Sequence, residues 1–143
     1  MILDNCMCII AFKYNIFIFV FLCIMEKTLI EYSFNMLNQI KLYHWATISY
    51  AKHKALDELH STLSNYFDTL IEAYLGFNNL QPLKQMTIDT KCNADTENIT
   101  KFIQKSHKQL TKLHKLIKQS EMQNILDEML SALNKTLYLL KLE

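Results

Sequence analysis

The chain has no arginine, a single glycine (Gly76) and a single proline (Pro82). Sheets and hairpins need turn residues at short intervals, so this poverty argues against a β architecture and for helices. The four cysteines, Cys6, Cys8, Cys23 and Cys92, form no C-x-x-C pair. Their spacing suits neither a zinc knuckle nor a disulfide framework, and a reducing compartment is the simpler expectation. Fifteen lysines stand against fourteen carboxylates, for a formal net charge of +1. The chain as a whole therefore carries no electrostatic footprint for nucleic acid, which is not expected as a partner. Gly-rich phosphate loops and nucleophile elbows are absent. So is any Glu-x-x-His pair, which counts against a di-iron site inside a bundle.

What is present is a largely apolar chain of 143 residues, half of them hydrophobic and a fifth charged. That is enough for one domain with a real core. Residues 1–25 differ from the rest. Ile16 to Met25 is unbroken apolar sequence, shorter than the roughly 20 residues that span a bilayer. Extending the run back to Ile9 brings in Lys13 and Asn15. No small-x-small cleavage site follows, so a signal peptide is a poor fit. Three readings remain: Met25 is the true start, residues 9–25 form a membrane anchor, or the segment is a helix buried in an oligomer. The protein is expected in the cytoplasm, and at a membrane only if residues 1–25 are translated.

From Glu26 to Glu143 the apolar positions recur at helical spacing and predict a single helical domain. A first helix over about 26–45 carries Leu29, Met36, Leu37, Ile40 and Tyr43. A second, over about 53–75, stops at Gly76, a natural terminating residue. Residues 77–95 form a connection long enough to hold a short helix or a function. A third helix, about 96–119, shows Ile99, Phe102, Ile103, Leu110, Leu113 and Ile117. Ser120 and Gln123 then match a capping box ahead of a fourth helix, about 121–141, with Met122, Leu126, Met129, Leu133, Leu137 and Leu140. The expected fold is an all-α four-helix bundle with a long link between its second and third helices.

A series of histidines and carboxylates crosses the first two helices. It reads His44-Trp45, then His53-x3-Asp57, then Asp68-x3-Glu72. Histidine with carboxylate is the ligand set of non-haem iron and manganese sites. At about 100° per residue, His53, Asp57, Asp68 and Glu72 share an arc of roughly 100° that borders the core stripe of Leu56, Leu59, Leu63, Phe67, Leu70 and Tyr74. His60 and Ser64 lie on the same arc. The two pairs are centred about 22 Å apart along the helix, whereas metal–ligand bonds are about 2 Å. One ion cannot touch both pairs of one helix. If two second helices cross antiparallel, His53 and Asp57 of one chain face Asp68 and Glu72 of the other, and His44 closes the site. The bland alternative is that acidic residues and histidines at i,i+4 are ordinary surface residues.

The stretch KLYHWATISYAKHKALDELHSTLSNYFDTLIEAYLG resembles the Dps miniferritins of the ferritin-like superfamily over about residues 28–77. In that family the first helix ends in His-Trp, the second begins His-x3-Asp, and Asp-x3-Glu follows. His44, His53, Asp57, Asp68 and Glu72 match those positions. The resemblance implies a ferroxidase site at a two-fold subunit interface, with Fe as the metal and Mn or Zn as alternatives. It also implies a homo-oligomer, at least a dimer and up to a dodecamer, that protects against oxidative damage. Asp68 would bind the metal or position a water. Trp45 would wall the site, and His60 would be an extra or outer ligand; ordinary packing at a helix end and an ordinary interface position are the alternatives. A divergent viral or phage branch of the superfamily would fit the same residues. The segment between His44 and His53 is three residues shorter than in the Dps proteins. No lysine-rich tail of the DNA-binding kind is present, and cage pores are not recognisable. The rival expectation is a helical interaction protein that keeps the bundle without metal chemistry.

His107 and His114 lie among Lys105, Lys108, Lys112, Lys115 and Lys118. That stretch reads either as a solvated face or as a contact for phosphate or an acidic partner.

Overall fold

A computed structural model describes residues 3–81, 84–95 and 98–142, with side chains from residue 25 onward. The described residues form four helices and no strand: α1 (Leu3–Ala46), α2 (Tyr50–Phe77), α3 (Ile99–Leu116) and α4 (Ser120–Leu139). Their core stripes close on one another. Met36, Ile40 and Tyr43 of α1, Leu56, Leu63 and Leu70 of α2, Ile103 and Leu110 of α3, and Leu126 and Leu133 of α4 are all buried in one cluster. Each such side chain contributes roughly 1.5–3 kcal/mol relative to exposure.

α1 packs on α2, α2 on α4, and α4 on α3. The ring closes where Tyr32 and Tyr43 of α1 meet Ser106 and Phe102 of α3. Short turns, Thr47–Ser49 and Ile117–Gln119, make α1/α2 and α3/α4 antiparallel. The 78–98 link must carry the chain from the C-terminal end of α2 back to the end where α1 finishes. The topology is therefore up-down-down-up with a single crossover, the arrangement of ferritin-like bundles. Gln39 pins the crossover: its side-chain amide donates to Asn93 O (2.7 Å) and accepts from Asn93 N (3.0 Å). Among its described residues the crossover contains no α-helix; Asn98, just ahead of α3, is in a 3-10 turn.

Several boundaries differ from the sequence expectation. α1 does not begin near residue 26 but runs on through the apolar segment as one helix of 44 residues. The three readings of this N-terminal segment fall on residues 1–24, whose side chains lie outside the described residues. α2 starts three residues before His53, because Ser49 Oγ accepts from Lys52 N (3.3 Å) and caps it. Gly76 does not end α2: the helix continues to Phe77 and Gly76 has no positive φ. Asn79, at φ 50°, takes the left-handed turn instead, as asparagine tolerates, and Leu80 N closes on Leu75 O (3.0 Å). The capping box at α4 does not form. Ser120 is already helical, Gln119 is the cap residue, and no side chain bonds there. Gln123 instead donates to Ile117 O (2.9 Å), satisfying a carbonyl at the end of α3.

Candidate functional site

The short α1–α2 turn sets His44 against His53. His44 is the last buried residue of α1, in the turn where carbonyls lose their intrahelical partners. His53 Nδ1 lies 2.9 Å from His44 O, and His44 Nδ1 lies 3.0 Å from His53 O. A carbonyl only accepts, so both Nδ1 atoms carry a proton, and in the neutral rings both Nε2 atoms keep a lone pair. The rings stack, with centroids 3.8 Å apart and 29° between planes. An imidazole that donates its inner N–H to a backbone carbonyl is held as metal-binding histidines are held.

Asp57, one turn along α2 from His53, places Oδ1 3.8 Å from His44 Nε2. Two donors on one ion with bonds of about 2 Å stand roughly 3–4 Å apart, so this separation fits a shared cation. A cation already competes for the carboxylate: Lys41 Nζ is 3.4 Å from the same oxygen. That hydrogen bond, with the charges of His44, Lys41 and Lys54, holds the Asp57 carboxyl below its ordinary value against a smaller opposing effect of desolvation. His60 lies one turn beyond Asp57 on α2, within reach of the same charges. Desolvation and the charges of Lys41 and His44 lower its pKa, while Asp57 acts the other way.

The fold thus gathers His44, His53, Asp57 and His60 at one end of the α1–α2 face. It does not bring Asp68 or Glu72 to them. Both are exposed further along the straight α2, at the separation expected from the helical rise. Among the described residues, no group of three or more histidine, cysteine or carboxylate side chains in the single chain could hold a metal ion. His53 with Glu72, and Asp57 with Asp68, are nevertheless symmetric about one point of α2, between Thr62 and Leu63. Trp45 does not wall the cluster within the chain. It turns out to solvent, 69% exposed, with Lys41 Nζ 5.9 Å from its ring centroid. His44 faces inward because it follows Ile40 by one helical turn; Trp45 is rotated away by about 100°.

Three residues matter here that the ligand pattern did not reveal. Lys41 occupies Asp57, and its position one turn before Trp45 was the available signal. Gln39 holds the crossover, which nothing local in the sequence announces. Glu26 is 2% exposed, with Oε1 unpartnered. Its signal was the spacing of seven from Ser33 and fourteen from Ile40, both core positions.

At the far end of the bundle His114 Nε2 lies 3.1 Å from Asp127 Oδ1, a pairing between α3 and α4 remote from this cluster. Cys92 is free and exposed on the crossover.

Residues 44–140 match the model of a family of unknown function (DUF5856). The matched span begins at His44 and takes in every candidate ligand. No curated protein and no solved structure matches the chain.

Proposed function

The chain belongs to the DUF5856 family, a family of unknown function, and from its site we propose that it is an Fe(II)-oxidising protein of Dps type acting as a two-fold homo-oligomer. The observation that carries this reading is the reciprocal His44–His53 arrangement. Each ring spends its inner nitrogen on the other's carbonyl and keeps its outer nitrogen for a ligand, with Asp57 within 3.8 Å of one of them.

Two copies crossing with α2 antiparallel would bring Asp68 and Glu72 of the second copy to His53 and Asp57 of the first. The basic end of the face, with Lys41 and the histidines, would then meet the acidic end of its mate twice over. Phe34, 47% exposed on the same face of α1, would gain a partner near the two-fold axis. Fe(II) is the substrate, and Mn or Zn would occupy the same donors. With peroxide as oxidant, two Fe(II) give up one electron each and two protons are consumed, leaving two Fe(III) and two waters. The carboxylates favour the more highly charged product. Because His44 and His53 stack, the rings must splay for both to face one ion.

A second reading has its own observation. Lys41 neutralises Asp57 within the chain, as in a surface pair of a helical interaction protein without metal chemistry. One experiment separates the two. Purified protein is mixed anaerobically with Fe(II) and exposed to peroxide, following the ultraviolet absorbance of Fe(III), with the mass in solution measured alongside. The first reading requires fast oxidation, its loss in Asp57→Ala and in Glu72→Ala, and an oligomer. A monomer whose background oxidation is the same in all three proteins establishes the second.

A further inference from the structure

α1 and α3 are bridged where Tyr32 Oη donates to Ser106 O (3.5 Å) and where the Tyr43 and Phe102 rings meet edge to face, 5.6 Å between centroids. Beside these bridges the seam between the two helices is open. Its upper part, under the crossover, is a cleft of about 330 Å³ reached by Asn35, Met36 and Gln39 of α1, Phe102 and Lys105 of α3, and Lys91. Its lower part is a groove of about 160 Å³ walled by Met25 and Leu29 of α1 and Leu110 and Leu113 of α3. Tyr32 and Gln109 line both parts and form the neck between them.

The two parts differ in chemistry. In the upper cleft Lys91 is drawn to Asp89 (3.8 Å), but Lys105 is in no ion pair among the described residues. The Gln39 amide is spent on Asn93, whereas the Asn35 amide makes no hydrogen bond among the described residues. One ammonium and one amide are therefore open to an acceptor at the level of Asn35. Below them the four apolar walls continue to Met25, ten residues or about 15 Å down α1. That length takes an extended chain of about ten carbons, since each C–C bond of about 1.5 Å advances a zigzag by somewhat less than itself. A cation at one end with an apolar trough leading away is the complement of a carboxylate on an unbranched alkyl tail. A sugar phosphate would leave the trough unfilled, and a peptide would carry backbone polar groups into it without partners. The seam is also separate from the histidine cluster. Tyr32 and Asn35 are turned at least about 120° round α1 from Lys41, so a pairing of copies through α2 leaves it accessible.

We propose that the α1–α3 seam binds one medium-chain fatty carboxylate, its head on Lys105 and Asn35 and its tail between Met25, Leu29, Leu110 and Leu113. The full chain is titrated calorimetrically with decanoate, octanoate and 1-decanol, each kept dilute enough to stay monomeric. Decanoate binds one per chain. Octanoate binds roughly fifteen-fold more weakly, because each buried methylene is worth about four-fold. 1-Decanol binds about ten-fold more weakly than decanoate, the worth of one hydrogen bond to a charged group. Lys105→Gln lowers decanoate to the level of decanol. Lys108→Gln removes the same charge from the α3–α4 side of the helix and changes affinity by no more than about two-fold. Gln109→Trp fills the neck from an exposed position and weakens decanoate at least about ten-fold, with the helical circular dichroism unchanged. Equal losses in Lys105→Gln and Lys108→Gln, equal affinity for octanoate and decanoate, or unchanged binding in Gln109→Trp overturns the proposal. Self-association that Gln109→Trp abolishes, with no decanoate uptake, overturns it in favour of a second copy in the seam.

Discussion

Glu26 offers the sharpest test of the packing. It sits one heptad before Ser33 and two before Ile40, so the same stripe of α1 carries all three into the bundle. Glu26 is 2% exposed and its Oε1 has no hydrogen-bond partner. An unsatisfied buried polar group costs about 1–3 kcal/mol. Methionine has nearly the same length, no branch and no hydrogen-bond demand, so it fills the space without overpacking. Removing the penalty and adding apolar burial should make Glu26→Met more stable than the natural chain by about 2 kcal/mol. At roughly 3 °C per kcal/mol for a domain of this size, Tm rises by about 6 °C. Thermal and urea unfolding followed by circular dichroism, with the oligomeric state held constant, reads the change. Glu26→Gln keeps the polar atoms and should gain much less. A Glu26→Met chain less stable than the natural one would refute the reasoning. It would mean that the carboxylate has a partner in the folded protein, a bound cation or a donor from another copy.

Other perturbations test other links. Gln39→Ala removes two hydrogen bonds to the backbone of Asn93 and should cost about 1–2 kcal/mol; amide exchange at Asn93 should accelerate, and unchanged protection would show that the crossover is held elsewhere. Burial lowers the His60 pKa, so the fold favours its neutral form. Its stabilising contribution is complete above the ordinary value of 6.5 and is lost as pH falls through the lowered value; a ring proton assigned to His60 that titrates at or above 6.5 in the metal-free protein contradicts this. Tyr32 is pushed up to about 12 by burial, opposed by its hydrogen bond to Ser106, so its phenolate absorbance should develop only near that pH. Leu63→Ala, at a wholly buried position of α2, should cost about 3–5 kcal/mol in urea unfolding, and a cost below 1 kcal/mol would place Leu63 outside the core.

Most of the fold was legible because helical periodicity is a local property. The apolar positions expected on α2 are all buried, and so are Met36, Ile40 and Tyr43 of α1. Where local rules failed, a competing partner won. Gly76 could have ended α2, but Asn78 Nδ2 donates to Tyr74 O (2.9 Å) and Asn79 makes the turn one step later. Ser120 with Gln123 has the spacing of a capping box, yet the carbonyl of Ile117 in the preceding turn captured the glutamine.

The candidate site divides in the same way. Spacing alone placed His53, Asp57, Asp68 and Glu72 on one arc of α2 and forbade them from meeting within one helix, because the rise per residue is constant. What spacing could not supply is anything that depends on two helices facing each other. The reciprocal histidine pair requires the α1–α2 turn to aim two rings at each other's carbonyls. The Lys41 contact to Asp57, the outward turn of Trp45 and the burial of Glu26 are set by which neighbour each side chain meets. Sequence determined the helices and the faces they carry, since both follow from local backbone geometry. Only tertiary structure decided the partners, since a side chain's contacts belong to the element across from it.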